Sequence, residues 1–445
     1  MSTTEKTQQP ATEVEHTGPI DPEKISISEV SSVSSVSSGK EIRREPPDGG
    51  WRAWFVVVGS FCSFFGTQGY GYSWGVFFDE YNANVYPGQQ TNLSWIGGLW
   101  YFMCNITGPF YVYLVSRFGD RAMVLAALII CPLGVMLASI TNEVWQLYIT
   151  QGIISGIGTS LAWFPGMTGP MEWFSKRRGL AVGITMSASG IGGLAISNIS
   201  RAAIDSLGWQ WALRILGFMQ FGLLIVTAAS AYPLNKPPHY KTVPLVDVSD
   251  FKNKHFIMLV AIHFIGNFAF YIPSSYVPTY ARAIGLDPQT GTTLSSILSV
   301  CMFIGKISLG FCSDYIGRFN MALICGTMAC IAHLAVWLTA TSAGSMWAFA
   351  VLYGLFGGGY IAMITAIIGQ VAGVDHINSG TGWCYSAWSF GGLFGQPIAS
   401  LISNRTSPPD YQGAIIFAGC LFFVGSCMVF ALRVMRGGWK ILQVV

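Results

Sequence analysis

Lys306 is the residue of this sequence whose type and position most clearly suggest chemistry. It lies in an apolar stretch of about 20 residues, the length that crosses a membrane as a helix, eight residues before Asp314. That spacing places its ammonium group about 12 Å inside the helix. A charge at this depth is costly and usually functional, so we expect Lys306 to pair with an anionic group of a substrate. In the alternative interpretation, the four-carbon stem simply extends to the membrane interface.

Polar and aromatic side chains form a second group of candidates, in two apolar stretches that glycine and proline interrupt. Gly66, Gly69 and Gly71 loosen the first stretch, and Pro273 and Pro278 break the second. Interrupted helices at corresponding positions of two halves indicate a transport site. The candidate binding residues, including three from other stretches, are Gln68, Tyr72, Asn267, Tyr271, Tyr276, Trp388, Trp163 and Gln396.

Proton coupling has little support in the sequence. No Asp or Glu lies near the middle of an apolar stretch. His263 and His333 could titrate near neutral pH, but a single histidine on an apolar helix more often makes a structural hydrogen bond. We therefore predict weak or absent proton symport.

The composition excludes most classes of soluble protein. Of the 445 residues, 52% are hydrophobic and only 10% are charged, whereas a soluble protein is about 25% charged. A net charge of +3 is too small to indicate nucleic acid binding. The 10 cysteines form no CxxC pair and no His/Cys cluster with metal-ligand spacing. We expect no cofactor or metal. The partners we expect are the lipid bilayer and a small organic metabolite, for which an anion is one candidate.

Twelve apolar stretches follow a hydrophilic N-terminal segment. Each has about the length of a membrane-spanning helix, so the predicted fold is an all-α polytopic membrane protein with two six-helix halves. The stretches lie near 54–78, 92–115, 121–140, 146–169, 179–201, 210–232, 255–280, 292–313, 319–340, 346–370, 380–402 and 411–435.

The distribution of polar residues predicts the domain organisation. Lysine and arginine concentrate in alternate connections, which places both termini in the cytoplasm. The serine-rich part of the tail, Ser26 to Ser38, has the composition of a disordered spacer, although regulatory phosphorylation is an alternative role. The predicted units are a disordered cytoplasmic tail (1–50), an N-terminal half (51–232), a cytoplasmic linker (233–254), a C-terminal half (255–435) and a short cytoplasmic C-terminus (436–445).

The two halves repeat a glycine pattern at an offset near 200 residues. Gly119 recurs as Gly317, 198 residues later, and Gly183 recurs as Gly382, 199 residues later. Small residues let helix backbones approach closely in a membrane, where packing replaces the hydrophobic drive. Duplicated six-helix halves are the architecture of transporters that rock about a central site.

The loop Gly310-Phe311-Cys312-Ser313-Asp314-Tyr315-Ile316-Gly317-Arg318 resembles the loop motif of the major facilitator superfamily. The resemblance implies a conformational latch, in which carboxylates and arginines at helix ends pair in one state and separate in another. In the first-half counterpart, Ser116 replaces the aspartate of the motif, which implies a weaker latch there. The residues we assign to the latch are Asp314, Arg318, Arg117, Arg121 and Arg178.

Two further motifs resemble the monocarboxylate porter family, particularly its fungal branch. They are Asp48-Gly49-Gly50-Trp51 and Phe174-Ser175-Lys176-Arg177-Arg178-Gly179. The resemblance runs from Pro47 to the C-terminus and implies that Lys306 occupies a basic substrate-binding position. Met302 stands where the family has an aspartate, and Tyr72 near where it has a first-span lysine.

Location and modification are further expectations. We predict a multi-pass protein of the plasma membrane, with a vacuolar or other internal membrane as the alternative. Asn92 and Asn404 begin glycosylation sequons in connections predicted to lie outside the cell.

Alternating-access transport of a monocarboxylate-like or related small organic metabolite is the leading functional hypothesis. One alternative is an exporter of a fungal secondary metabolite, or an uptake carrier for a vitamin such as riboflavin. A more remote alternative is a nutrient sensor on the same scaffold. An enzyme is rejected, because the glycine-rich segments lie inside apolar stretches and no nucleophile–base pair is evident.

Overall fold

The computed structural model describes residues 45–87, 89–234, 244–373, 376–403 and 411–438. Helices account for most of these residues, and they form twelve consecutive rods. The rods are α1 (Trp51–Tyr72, Trp74–Glu80 and the π-helical Tyr81–Val85), α2 (Gln90–Ile106 and Gly108–Phe118), α3 (Asp120–Ala138), α4 (Val144–Leu147, the π-helical Tyr148–Ile154 and Ser155–Trp173), α5 (Arg178–Leu207), α6 (Trp209–Ser230), α7 (Lys254–Phe270 and Ile272–Ala283), α8 (Pro288–Ile316), α9 (Arg318–Ile331 and the π-helical Ala332–Trp337), α10 (Ala343–Val371), α11 (Ile377–Ser403) and α12 (Gln412–Gly437).

Eight rods of the described chain contain helices that are long and apolar enough to cross a membrane by length and composition. The other four, α1, α2, α4 and α11, are richer in polar or small residues or are broken into shorter helices. Their polar groups are buried inside the bundle, as in the α1 residues Ser63, Thr67 and Gln68. The less apolar rods therefore lie where other helices shield them.

Repeated glycines shape the corresponding loops of the two halves. Gly119 ends α2 with a φ of 83°, and Gly317 ends α8 with a φ of 97°. Side chains other than glycine rarely adopt this left-handed conformation, which commonly ends helices. Both sharp turns from the second to the third rod of a half depend on it.

The two halves meet most extensively along α5–α8 and α2–α11. A Cβ atom added at Gly183 of α5 would overlap the carbonyl oxygen of Lys306, and one added at Gly382 of α11 would overlap the carbonyl oxygen of Gly108. The two contacts are related by the sequence repeat. Small residues therefore bring the halves into backbone contact at both interfaces.

Candidate functional site

A small cavity lies between the halves, near the middle of the bundle. Its volume is about 30 Å³, enough for about two water molecules. Eight of the residues around it are aromatic. The lining residues are Phe64, Gln68, Tyr72, Tyr101, Asn105, Trp163, Met186, Ser189, Phe270, Tyr271, Lys306, Ile361, Tyr385 and Trp388.

Lys306 reaches this cavity from α8 and contacts the other half. Its side chain is 2% exposed, and its Nζ donates hydrogen bonds to the Met186 carbonyl at 3.1 Å and to Ser189 Oγ at 2.8 Å. Both partners are neutral oxygens on α5. Among the described residues, no carboxylate lies within 4.0 Å of the ammonium group. A buried cation without a counterion is costly.

Three aromatic side chains join the halves beside the cavity. Tyr101 of α2 accepts hydrogen bonds from Tyr271 OH of α7 and, at 2.9 Å, from Trp388 Nε1 of α11. The ring of Tyr72 packs against that of Tyr271, with centroids 6.1 Å apart. The aromatic wall therefore contains residues of both halves and must rearrange when they move.

Of the other predicted binding residues, some line the cavity and some do not. Gln68 lines the cavity, and its Nε2 donates to Cys104 Sγ at 3.6 Å. Asn267 does not line it; its Nδ2 donates to the Trp388 carbonyl and holds α7 against α11. Tyr276 packs against the ring of Tyr411, with centroids 5.9 Å apart. Gln396 also lies apart from the cavity and donates to Ser275 Oγ.

Sequence reasoning missed several lining residues, including Tyr101, Asn105, Ser189 and Tyr385. Helical spacing provides a signal that could have found some of them. Tyr101 and Asn105 are four residues apart, as are Gln68 and Tyr72, so each pair shares one face of its helix. These faces identify the cavity side of α1 and α2.

The two histidines lie in packed surroundings. His263 and His333 are both fully buried. The Nδ1 of each is within hydrogen-bonding distance of a carbonyl four residues earlier, at 2.9 Å and 2.8 Å respectively. Neither lines the cavity.

Asp314 connects the halves at the end of the bundle that carries Lys176 and Arg318, here called the basic end. Its carboxylate accepts hydrogen bonds from the backbone N–H groups of Gly179 at 2.9 Å and Leu180 at 3.0 Å. It also pairs with Arg318 at 3.4 Å. Arg318 in turn donates to the Ser175 carbonyl. A carboxylate of one half thus caps the N-terminus of α5 in the other half.

The remaining predicted latch residues take different positions. Arg178 donates to the Phe174 carbonyl at 3.0 Å and packs against Gly369 of α10. Arg117 and Arg121 are exposed, and Arg117 donates to Tyr113 OH at 3.3 Å within its own half. Of these three arginines, Arg178 is therefore the one with a described contact across the halves.

The two signature motifs contact each other. Asp48 Oδ1 accepts hydrogen bonds from the backbone N–H groups of Ser175 and Lys176, each at 2.6 Å. Trp54 packs against Phe174, with ring centroids 5.1 Å apart. Segments that are 127 residues apart in the chain therefore form one structural unit at the basic end.

One of the two glycosylation sequons, that of Asn92, lies in the described chain. Asn92 is in the first turn of α2 and is exposed. Its carbonyl accepts a hydrogen bond from Tyr148 OH at 2.8 Å. Asn404 lies outside the described residues.

Two six-helix halves around a central cavity define a membrane transporter of the alternating-access class. The model of the Major Facilitator Superfamily matches residues 56–351 and 281–438, and the chain belongs to that superfamily. The match confirms the predicted fold class and establishes a multi-pass membrane transporter rather than an enzyme.

Curated relatives and a solved structure resemble this chain over most of its length. It is 30% identical to the "MFS transporter asaE" of Aspergillus flavus over 401 residues, 89% of this chain and 90% of that protein. It is 28% identical to the "Fujikurins efflux protein" of Gibberella fujikuroi, over 88% of this chain and 84% of that protein. The transporter FucP in its outward conformation matches with a TM-score of 0.66 at 13% identity, covering 85% of this chain and 98% of that one.

Proposed function

We propose that this protein exports a fungal secondary metabolite with an apolar or aromatic body and an anionic group. The proposal rests mainly on the surroundings of Lys306. This buried cation lies beside an aromatic cavity, and its protein partners are neutral. The aromatic side chains suit the body of such a metabolite, and the ammonium suits its anion. The similar "Fujikurins efflux protein" supports export over uptake.

The orientation belongs to the proposal. Lysine and arginine at the basic end support a cytoplasmic position for that end and for both termini. The protein then resides in the plasma membrane with the Asp314 latch closed on the cytoplasmic side. Release of this latch opens the cavity to the cytoplasm, where an exported metabolite binds.

The cavity must expand to accept a ligand. About 30 Å³ is far below the 300–1,000 Å³ typical of small-molecule sites. Separation of the halves widens it, because Tyr101, Tyr271 and Trp388 belong to different halves. The described conformation is therefore a closed intermediate of the transport cycle.

Comparative metabolite analysis tests the function. The gene is deleted in its own host, and metabolites are measured inside cells and in the medium. We expect one organic anion to accumulate inside and to decrease outside, with recovery on re-expression of the wild type. Lys306→Met should fail to restore secretion, whereas Ser308→Ala, an exposed position on the same helix, should restore it at equal expression. Unchanged secretion of every metabolite would contradict export.

Carboxylate uptake is the second candidate, because the Asp48 and Phe174 motifs resemble monocarboxylate porters. Membrane vesicles of both orientations distinguish uptake from export. Labelled monocarboxylates are placed inside or outside the vesicles, and the direction of their transport is measured. Uptake from the side opposite the basic end, abolished by Lys306→Met, would favour the carrier. We expect no such uptake.

A further inference from the structure

Two carboxamide side chains line the central cavity from the first half. Gln68 belongs to α1 and Asn105 to α2, and they are 7% and 1% exposed. Gln68 Nε2 donates a hydrogen bond to the thiol of Cys104, the chain neighbour of Asn105, at 3.6 Å. The two carboxamides therefore belong to the same region of the cavity wall, where α1 meets α2.

The amide nitrogens of both side chains are already used. Asn105 Nδ2 donates to the Tyr101 carbonyl at 2.8 Å, and Gln68 Nε2 makes the contact with Cys104. Their oxygens, Gln68 Oε1 and Asn105 Oδ1, are here called the acceptor pair. No group of the described residues donates to either oxygen. An amide oxygen accepts up to two hydrogen bonds, so the acceptor pair can bind a ligand that supplies N–H or O–H groups.

Tyr101 and Lys306 supply hydrogen-bond donors to the same cavity. The phenol oxygen of Tyr101 already accepts two hydrogen bonds, so its own O–H can donate to a ligand. Lys306 has three N–H donors, and two of them bind oxygens of α5. Tyr101 and Asn105 are four residues apart on α2, which is about 6 Å along the helix. The helix therefore separates the donor of Tyr101 from the acceptor of Asn105 by about one turn.

The acceptor pair and Tyr101 belong to one half and move together when the halves rock. Gln68, Tyr101 and Asn105 lie on α1 and α2, whereas Lys306 comes from the second half. Separation of the halves as rigid bodies changes the distance to Lys306 but keeps the spacing between the acceptor pair and Tyr101. The same first-half groups can therefore recognise a ligand before and after the halves close on it.

We propose that the acceptor pair selects substrates that carry an N–H or O–H group about one helical turn from their anionic group. This rests on the proposed export of an organic anion and narrows its substrate class to anions with such a donor on the aromatic or apolar body. An anion with an apolar group at that place buries both amide oxygens without a partner, which lowers its affinity. Gln68 and Asn105 thus determine specificity among the anions that Lys306 attracts.

Three aromatic acids of nearly equal size test this selection. The compounds meta-hydroxybenzoate and meta-aminobenzoate carry a donor, and meta-methylbenzoate has a methyl group at the same ring position. Calorimetry measures their binding to the purified full-length protein in nanodiscs. We expect the hydroxy or the amino compound to bind at least about tenfold more tightly than the methyl compound, and the better of the two identifies the donor as O–H or N–H. Equal affinities for all three would overturn the proposal.

Substitution of each carboxamide shows whether the acceptor pair causes the preference. Gln68→Met and Asn105→Leu each remove one acceptor and keep a similar volume. Asn198→Leu is the matched control, because exposed Asn198 also donates to the carbonyl four residues earlier at 2.8 Å. We expect the preference for the donor compound to fall below about threefold in the first two variants and to keep its wild-type value in the control. An unchanged preference in Gln68→Met and Asn105→Leu would contradict the assignment.

The variant Lys306→Met separates this inference from the proposed function. It should weaken the binding of all three acids by a similar factor and leave their order of affinity unchanged. If the three acids bind equally to the wild type and all lose affinity in Lys306→Met, the anion site stands and the selection by the acceptor pair is overturned. If none of the acids binds, or if Lys306→Met binds them as the wild type does, the anion site of the proposed function fails and this inference fails with it.

Discussion

The α5–α8 and α2–α11 interfaces have the same backbone arrangement but different chemistry. Gly183 packs on the carbonyl of Lys306 in one, and Gly382 packs on the carbonyl of Gly108 in the other. Positions 108 and 306 are 198 residues apart, as are Ser116 and Asp314. The repeat has kept the close approach of the helices, while the charged side chains are concentrated on α8.

The difference between the two interfaces separates helix packing from the contacts that charged side chains make. Both interfaces let the halves pack closely. On α8, Lys306 supplies a cation to the central cavity, and Asp314 binds the other half at the basic end. Arg318 at the start of α9 also binds the other half there. On α2, Ser116 Oγ donates to the Tyr113 carbonyl, and Asp120 at the start of α3 accepts from Tyr111 OH, both within the same half. We infer that the charged groups for substrate binding and closure lie at α5–α8. The α2–α11 interface contributes packing and the Tyr101–Trp388 part of the cavity wall.

Removal of the charge at position 306 should have the largest effect. Lys306→Met keeps the length and apolar stem but removes the group that we expect to pair with the substrate anion. Loss of one partner of a buried charge pair should weaken substrate binding at least about 30-fold. Binding of the metabolite identified by the secretion comparison measures this, with Ser308→Ala as control. If Lys306→Met bound the metabolite with wild-type affinity, Lys306 would not contact the substrate.

Substitution of Gly183 or Gly382 by alanine should cause similar defects, because the two glycines make equivalent helix contacts. Gly183→Ala and Gly382→Ala each insert a methyl group against a backbone carbonyl, and overpacking of this kind should slow transport about tenfold. Gly222→Ala is the control, because nothing lies within 4 Å of its added Cβ. Transport rates at equal expression measure the effect. A defect in only one contact variant would break the packing equivalence.

Asp314→Asn should weaken the latch without changing its shape. The amide keeps one acceptor oxygen but loses the charge that favours the α5 N-terminus and Arg318. We expect a roughly fivefold fall in the ratio of closed to open basic end. Spin labels at the exposed positions Arg177 and Tyr315 report their separation. Asp205→Asn, an exposed acid near the far end of α5, should leave it unchanged; an equal shift there would indicate a general charge effect.

Ser116→Asp should give the smallest effect, in the opposite direction. It places a carboxylate at the position that the repeat relates to Asp314. From that relation we expect it to lie near the N-terminus of α11, whose first N–H groups lack intrahelical acceptors. The closed population should rise about two- to threefold. Ser116→Asn supplies the matched neutral side chain and should change less. Equal shifts in the two variants would show that charge does not cause the effect.

The fold could be predicted from the sequence because its main determinants are local. Apolar stretches of membrane-spanning length marked all twelve rods, and Gly119 and Gly317 marked equivalent turns. Lys306 and Asp314 were recognised because a charge in or beside an apolar helix is conspicuous. The sequence could not show that Asp48 contacts Ser175, because the two are far apart in the chain.

Cavity membership was harder to predict because it depends on the rotation and packing of helices. Tyr101 was missed, although its hydroxyl accepts hydrogen bonds from two helices of the other half. Tyr276 has the same side chain and a similarly interrupted helix, yet it packs against Tyr411. Helical face analysis distinguishes such residues only when the partner helices are known.

Transfer of the latch carboxylate from α8 to α2 tests the central comparison most directly. In the double variant Asp314→Asn and Ser116→Asp, the same charge lies at the other repeat-related interface. Spin labels at Arg177 and Tyr315 are compared in the double variant, Asp314→Asn alone and the wild type. If the interfaces differ mainly in their side chains, the double variant should recover much of the closed population lost in Asp314→Asn. A population as open as that of Asp314→Asn alone would contradict this account.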